Sequence, residues 1–188
     1  MPADSPAFEA LPGRRQPAGP YRVCLVCLGN ICRSPMAEVV LRAELARAGL
    51  SGAVSVESAG TGDWHLGEQM YGPARSELAR RGYDGSGHRA RQIEPSWLAD
   101  YDLLLAMDAH NLADLRRMAG GSPAAARIRL LRSFDPALTG DDQFGGQVPD
   151  PYGGTPGQYA LAFDLIEAAA KGLTRRLAES CGSQPAGR

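Results

Sequence analysis

At 188 residues the chain has room for one domain of about 150 residues plus terminal extensions. A hydrophobic share of 44% and a charged share of 22% exclude a wholly disordered chain and a disulfide scaffold. Lys plus Arg number 20 and Asp plus Glu 21, a net charge of −1 that removes any bulk electrostatic argument for nucleic acid or an anionic membrane as partner.

The first twenty residues carry Pro2, Pro6, Pro12, Pro17 and Pro20 among Asp4, Glu9, Arg14 and Arg15, with no apolar run to serve as a signal-peptide core. Residues 1–20 are therefore expected to be a disordered Pro-rich leader, 21–179 the folded domain and 180–188 a flexible tail. The missing signal-peptide core makes a cytoplasmic chain the expectation, and since no apolar stretch approaches the roughly 18 residues that a membrane span needs, a soluble one. Tyr21 to Cys27 is almost uninterrupted by polar residues and predicts a strand covered on both faces. Ser34 followed by Pro35 predicts a helix N-cap and first position, with Gly49 as the stop. Ala53–Ser58 predicts a second strand and Pro73–Arg81, closed by Gly82, a short helix. Tyr101–Met107 predicts a third strand, with Asp108 capping a helix to about Met118, and Arg127–Leu131 a weaker fourth strand. Thr155-Pro156-Gly157-Gln158 fits a capping box, and Tyr159, Phe163, Ile166, Ala170, Leu173 and Leu177 then recur at helical spacing. The fold class predicted is α/β, a four-stranded parallel sheet flanked by helices on both faces, with a phosphate-binding loop after the first strand.

That loop, Leu28 to Arg33, leaves the carboxyl end of a central strand and enters a helix, where open α/β sheets bind ligands. Cys27 and Arg33 are six apart, and a loop of that size can wrap a tetrahedral anion with its N–H groups while the helix N-terminus adds positive potential. Arg33 offers a planar fork for two anion oxygens. The same positive field favours the thiolate of Cys27, the nucleophilic form. Far along the chain, Asp150-Pro151-Tyr152 sits in a second loop.

Cys27-Leu28-Gly29-Asn30-Ile31-Cys32-Arg33-Ser34 followed by Asp150-Pro151-Tyr152 resembles the low-molecular-weight protein tyrosine phosphatase family over nearly all of residues 21–179. The resemblance implies hydrolysis of phosphotyrosine in proteins through a cysteinyl-phosphate. Cys27 is then the nucleophile, Arg33 the phosphate clamp and Asp150 the general acid and base. It implies substrate binding by Leu28, Gly29, Asn30, Ile31, Cys32 and Ser34, cleft walls from Trp64 and Tyr152, and support of Asn30 by Ser58 and His88. It implies no cofactor and no metal, and a phosphotyrosine-containing protein as partner. Cys32 matches a cysteine with which the family's nucleophile forms a reversible disulfide. Where the family often has a second tyrosine after Asp-Pro-Tyr, this chain has Gly153.

Blander readings stand beside these. Cys24 reads as core packing, Asp108 as a cap, and His65 and His110 carry no assigned role. Cys24 and Cys27 make half a zinc motif, but no second Cys pair or His pair completes it. A thiol-dependent arsenate reductase on the same fold needs resolving cysteines, and none lies between Cys32 and Cys181. A binder without turnover would keep Arg33 but would not need both Cys27 and Asp150.

Overall fold

Tyr21–Cys27 forms the first strand, β1, in the computed structural model, which describes residues 10–182. Six of its seven residues are buried, as its lack of polar interruption requires. Around it run α1 (Arg33–Arg47), β2 (Val54–Gly60), α2 (Gly72–Arg80), β3 (Leu103–Ala106), α3 (Ala109–Ala119), β4 (Ile128–Leu130) and α4 (Pro156–Gly182). The four strands lie in the order β2-β1-β3-β4 and every pairing is parallel, with Val23 opposite both Val56 and Leu103.

The two-residue side-chain period of the strands splits the interior into two cores. Val23 and Leu25 of β1, with Val56 and Leu105, face α1, α2 and α4 in the larger core. Cys24 and Val26, with Leu104 and Ala106, face α3 and the 3-10 turns at Pro95–Ala99 and Pro123–Arg127. The stripe expected on α4 is real, since Tyr159, Phe163, Ile166, Ala170, Leu173 and Leu177 are all buried in the larger core. Cys24 packs in the smaller core, as read, its burial pushing the thiol up to about 12.

Beside shifts of one or two residues at the ends of the strands and of α2, three differences from the sequence reading concern the loop and the two termini. Helix α1 begins at Arg33 with Cys32 as its N-cap, so Ser34 is not the cap; its hydroxyl bonds instead to Cys27 Sγ and Asn30. The leader expected over 1–20 is laid against the fold from residue 10 onward, without regular structure. The Arg15 N–H and the Arg22 N–H both donate to the buried carboxylate of Asp102, Tyr21 Oη donates to Pro12 O, and Arg127 donates to Gly13 O. Prolines removed regular secondary structure there but not these side-chain partners; residues 1–9 lie outside the described residues. The tail expected from residue 180 is helical to Gly182, and the rest of it also lies outside the described residues. Among the described residues no helix is long and apolar enough to cross a membrane.

Candidate active site

The ends of β1 and β3 and the start of α1 meet where the strand order turns from β2 to β3, the crevice in which sheets of this order hold ligands. Between Cys27 and Arg33 the loop carbonyls are held outward. Cys27 O accepts from the Thr61 N–H, Leu28 O from Gly62, Ile31 O from Tyr71 and Cys32 O from Met36, while Asn30 O meets the ring of His88 at 2.6 Å. With the carbonyls turned away, the N–H groups of Leu28, Gly29, Ile31 and Cys32 meet no protein acceptor among the described residues. A concave row of free amides at a helix N-terminus is a cradle for an oxyanion.

Asn30 makes that geometry possible. Its φ of 54° lies in the left-handed region, which Asn tolerates better than most side chains. Its side chain fixes the turn from behind: Nδ2 donates to Ser34 Oγ and Ser58 Oγ, each at 2.9 Å, and Oδ1 accepts from the Arg91 N–H at 2.9 Å. Ser58 in turn donates to Glu38. Gly60 closes against the loop so tightly that a Cβ there would sit 2.6 Å from Leu28 O. Asn30 O can only accept, so His88 carries a proton on Nε2, while burial holds the ring's pKa below the ordinary 6.5 against that bond.

At the centre, Cys27 Sγ lies 3.0 Å from Ser34 Oγ and accepts from the Asn30 N–H at 3.3 Å. Arg33 is almost fully buried. Its NH1 donates to Asp108 Oδ2 at 2.6 Å and to Val148 O, its NH2 to Asp150 Oδ2 at 2.8 Å, and its Nε has no partner among the described residues. Burial works against the guanidinium's charge, but Cys27, Asp150 and Asp108 outweigh it and hold the pKa above its ordinary value. Cys32 sits beside the nucleophile position with its thiol pushed up to about 12, first by burial and then by Cys27.

A cleft of about 140 Å³ gathers Cys27, Leu28, Gly29, Ile31, Cys32, Arg33, Trp64, Asp150 and Tyr152. Asn30 and Ser34 do not line it; they are buried behind it with Ser58, and His88 braces the loop from the same side. Trp64 and Tyr152 stand 68% and 57% exposed, which makes them walls of an open slot rather than core residues. The Tyr152 ring meets Tyr71 at 5.0 Å and His65 at 6.4 Å. Gly153 has φ 71°, so a second tyrosine would be strained there.

Sequence reasoning missed three contributors. Asp108 is a cap, as expected, its Oδ1 accepting from the Asn111 N–H, yet its other oxygen orients Arg33. Its place at the end of the strand beside β1 was the available signal. His65, given no role, lines the cleft while its Nδ1 lies 2.9 Å from Glu68, and Tyr71 supports Tyr152. Neither sits in a local motif that could have announced it.

Comparison with known proteins agrees with this geometry. The family model described as low molecular weight phosphotyrosine protein phosphatase matches residues 22–183. A low molecular weight protein-tyrosine-phosphatase of Streptomyces coelicolor is 48% identical over 159 residues, which cover 85% of this chain and 94% of that protein. Low molecular weight protein-tyrosine phosphatase A of Mycobacterium tuberculosis is 44% identical over 154 residues, 82% of this chain and 90% of its own. The crystal structure of YfkJ from Bacillus subtilis superposes with a TM-score of 0.77 at 35% identity, covering 90% of this chain and 100% of that one. The chain belongs to the low molecular weight phosphotyrosine protein phosphatase family.

Proposed function

We propose that this enzyme hydrolyses phosphotyrosine in proteins, with Cys27 as nucleophile, Arg33 as phosphate clamp and Asp150 as general acid and base. The observation that carries the reading is the convergence of Cys27, the loop residues whose N–H groups lack a protein acceptor among the described residues, Arg33 and Asp150 on one cleft. The arriving phosphate takes Arg33 Nε and NH2, which frees the Asp150 carboxylate from its ion pair to take a proton from solvent before the chemical step. Cys27 Sγ attacks phosphorus in line as the bond to the phenolic oxygen breaks, and Asp150 protonates that oxygen. Charge on the transferring group is spread over the loop amides and Arg33. Water then attacks the cysteinyl-phosphate, Asp150 takes its proton, and the Cys27 thiolate departs from inorganic phosphate.

Ser34 Oγ and the Asn30 N–H, both within reach of Cys27 Sγ, stabilise the thiolate as attacker and as leaving group. Trp64 and Tyr152 suit an aromatic ring between them, favouring phosphotyrosine over the shorter phosphoserine. The reaction needs Cys27 reduced, the condition of the cytoplasm, where the phosphoprotein substrate is placed.

The test is phosphate release from a phosphotyrosine peptide and its phosphoserine match, under reducing, metal-chelated conditions. Release from phosphotyrosine only, abolished in Cys27→Ser while phosphate binding survives, is the expected result. Hydrolysis that persists without the Cys27 thiol would remove the mechanism.

A further inference from the structure

We infer that buried Arg132 and partly exposed Asp142 form a clasp that positions Asp150 for proton transfer, an inference that rests on the acid role proposed above. Arg132 follows β4 in the 3-10 turn Leu131–Phe134, and its side chain is 3% exposed. Its two terminal nitrogens donate to the two oxygens of Asp142, each at 2.9 Å, a bidentate pair of fixed orientation. NH1 also donates to Gln147 O at 3.1 Å, and NH2 to Asp135 Oδ2 at 3.3 Å. The Asp142 carboxylate accepts in turn from the N–H groups of Phe144 and Gly146. One guanidinium thus gathers positions 135, 142 and 147, and through Asp142 also 144 and 146, a loop with no strand or helix of its own.

The end of that loop leads directly to the acid. Gln147 Oε1 accepts from the Ala109 N–H at the start of α3, tying the loop to the element that Asp108 caps. The Val148 N–H donates to Met107 O, and Val148 O accepts from Arg33 NH1, the same guanidinium whose NH2 holds Asp150. Two arginines therefore bracket the segment 147–150. Arg33 must turn to phosphate during the reaction, whereas Arg132 touches nothing in the cleft and stays engaged throughout. The clasp is what keeps Asp150 over the leaving oxygen once Arg33 has let go. Arg132 holds the Asp142 carboxyl below its ordinary range, with the Gly146 N–H adding to this, so the clasp is charged at neutral pH.

The two are positioning residues, and loss of the clasp carries the kinetic signature of a displaced acid. The experiment measures kcat/KM on phenyl phosphate, a poor leaving group, and on 2,4-dinitrophenyl phosphate, a good one that departs without protonation. Proteins compared are wild type, Asp142→Asn, Asp142→Glu, Arg132→Met, Asp150→Ala and the Asp142→Asn/Asp150→Ala double variant. Asp142→Asn is expected to lose at least about ten-fold on phenyl phosphate and less than about two-fold on the dinitrophenyl ester, with Asp142→Glu recovering part of the loss. The double variant is expected to be no worse than Asp150→Ala alone, because the clasp acts only through Asp150. Equal losses on both esters, no loss on either, or losses that multiply in the double variant would each overturn the clasp. Arg132→Met strips a partner from buried Asp135; if it does not fold, Asp142→Asn, at a side chain 15% exposed, decides alone. An Asp150→Ala protein that lost equally on both esters would remove the acid assignment and the clasp with it, whereas normal Asp150→Ala behaviour beside an unaffected Asp142→Asn removes the clasp only.

Discussion

His88 shows how one side chain outside the cleft can make the loop's integrity depend on pH. Its ring donates to Asn30 O, the carbonyl of the residue with left-handed φ, and its pKa lies below the ordinary 6.5. Burial is the main cause; Arg89 and Arg91 push the same way, and the Asn30 carbonyl and Glu38 push back. A histidine whose folded pKa is depressed favours the neutral ring in the fold, so between the folded and unfolded values the unfolded chain binds more protons. Stability supplied by this group is present above about pH 6.5 and is lost as pH falls below it. His88→Gln keeps an N–H donor without a titrating charge. The urea midpoint of wild type is therefore expected to fall further than that of His88→Gln between about pH 7 and about pH 5, other carboxylates cancelling in the comparison. Parallel curves would mean that His88 is not held neutral by the fold.

At the scale of elements, the packing of α4 on the turn after β4 turns on one glycine. Gly172 faces Phe134 so closely that an added Cβ would lie 1.8 Å from Phe134 O and 3.0 Å from its carbonyl carbon, backbone atoms that cannot swing aside. Gly172→Ala has to push the helix off the turn that carries Arg132, and an overpacked core contact of this kind costs about 1–3 kcal/mol or more. The expected outcome is a lowered unfolding midpoint together with reduced kcat/KM on poor leaving groups; an unchanged midpoint would mean that the contact is not close in solution. Nothing in the sequence distinguishes Gly172 from a weak point in a helix, because a close approach between residues 134 and 172 is a fact of three-dimensional packing. Local signals, by contrast, were legible: Asp108 as a cap, the α4 stripe, and β1 as an almost wholly buried strand followed by an anion loop. The capping box at Thr155 was half legible, since Gln158 Oε1 accepts from the Thr155 N–H as the motif requires. Ser34 misled only as an N-cap, because the same hydroxyl also suits a thiolate, and the loop claimed it.

Across the whole molecule the two ends of the parallel sheet do different work. The carboxyl ends of β1 and β3 hold the cleft, while the amino ends, near Tyr21, Asp102 and Arg127, hold the segment from residue 10 to 20. Its Pro-rich composition spoke correctly against helix and strand, whereas the hydrogen bonds that lay Gly13 and Arg15 against the sheet come from partners 114 and 87 residues away, which no local pattern reveals. Asp102 is 4% exposed and takes two backbone N–H donors, one from the leader at Arg15 and one from β1 at Arg22. A chain starting at Ala18 loses the Arg15 donor, the Tyr21 to Pro12 bond and the Arg127 to Gly13 bond, and leaves Asp102 short of a partner. At about 1 kcal/mol for each net hydrogen bond, and more for one to a buried charge, the shortened chain is expected to be about 2–4 kcal/mol less stable in urea unfolding. Each step of β1 rises about 3.3 Å, which sets the leader about 20 Å from Cys27, so kcat/KM on a phosphotyrosine peptide is expected to stay within about two-fold of the full chain. Loss of activity at full stability would reverse that assignment and make the leader part of the substrate site; loss of stability alone would mark it as a brace for the end of the sheet remote from the chemistry.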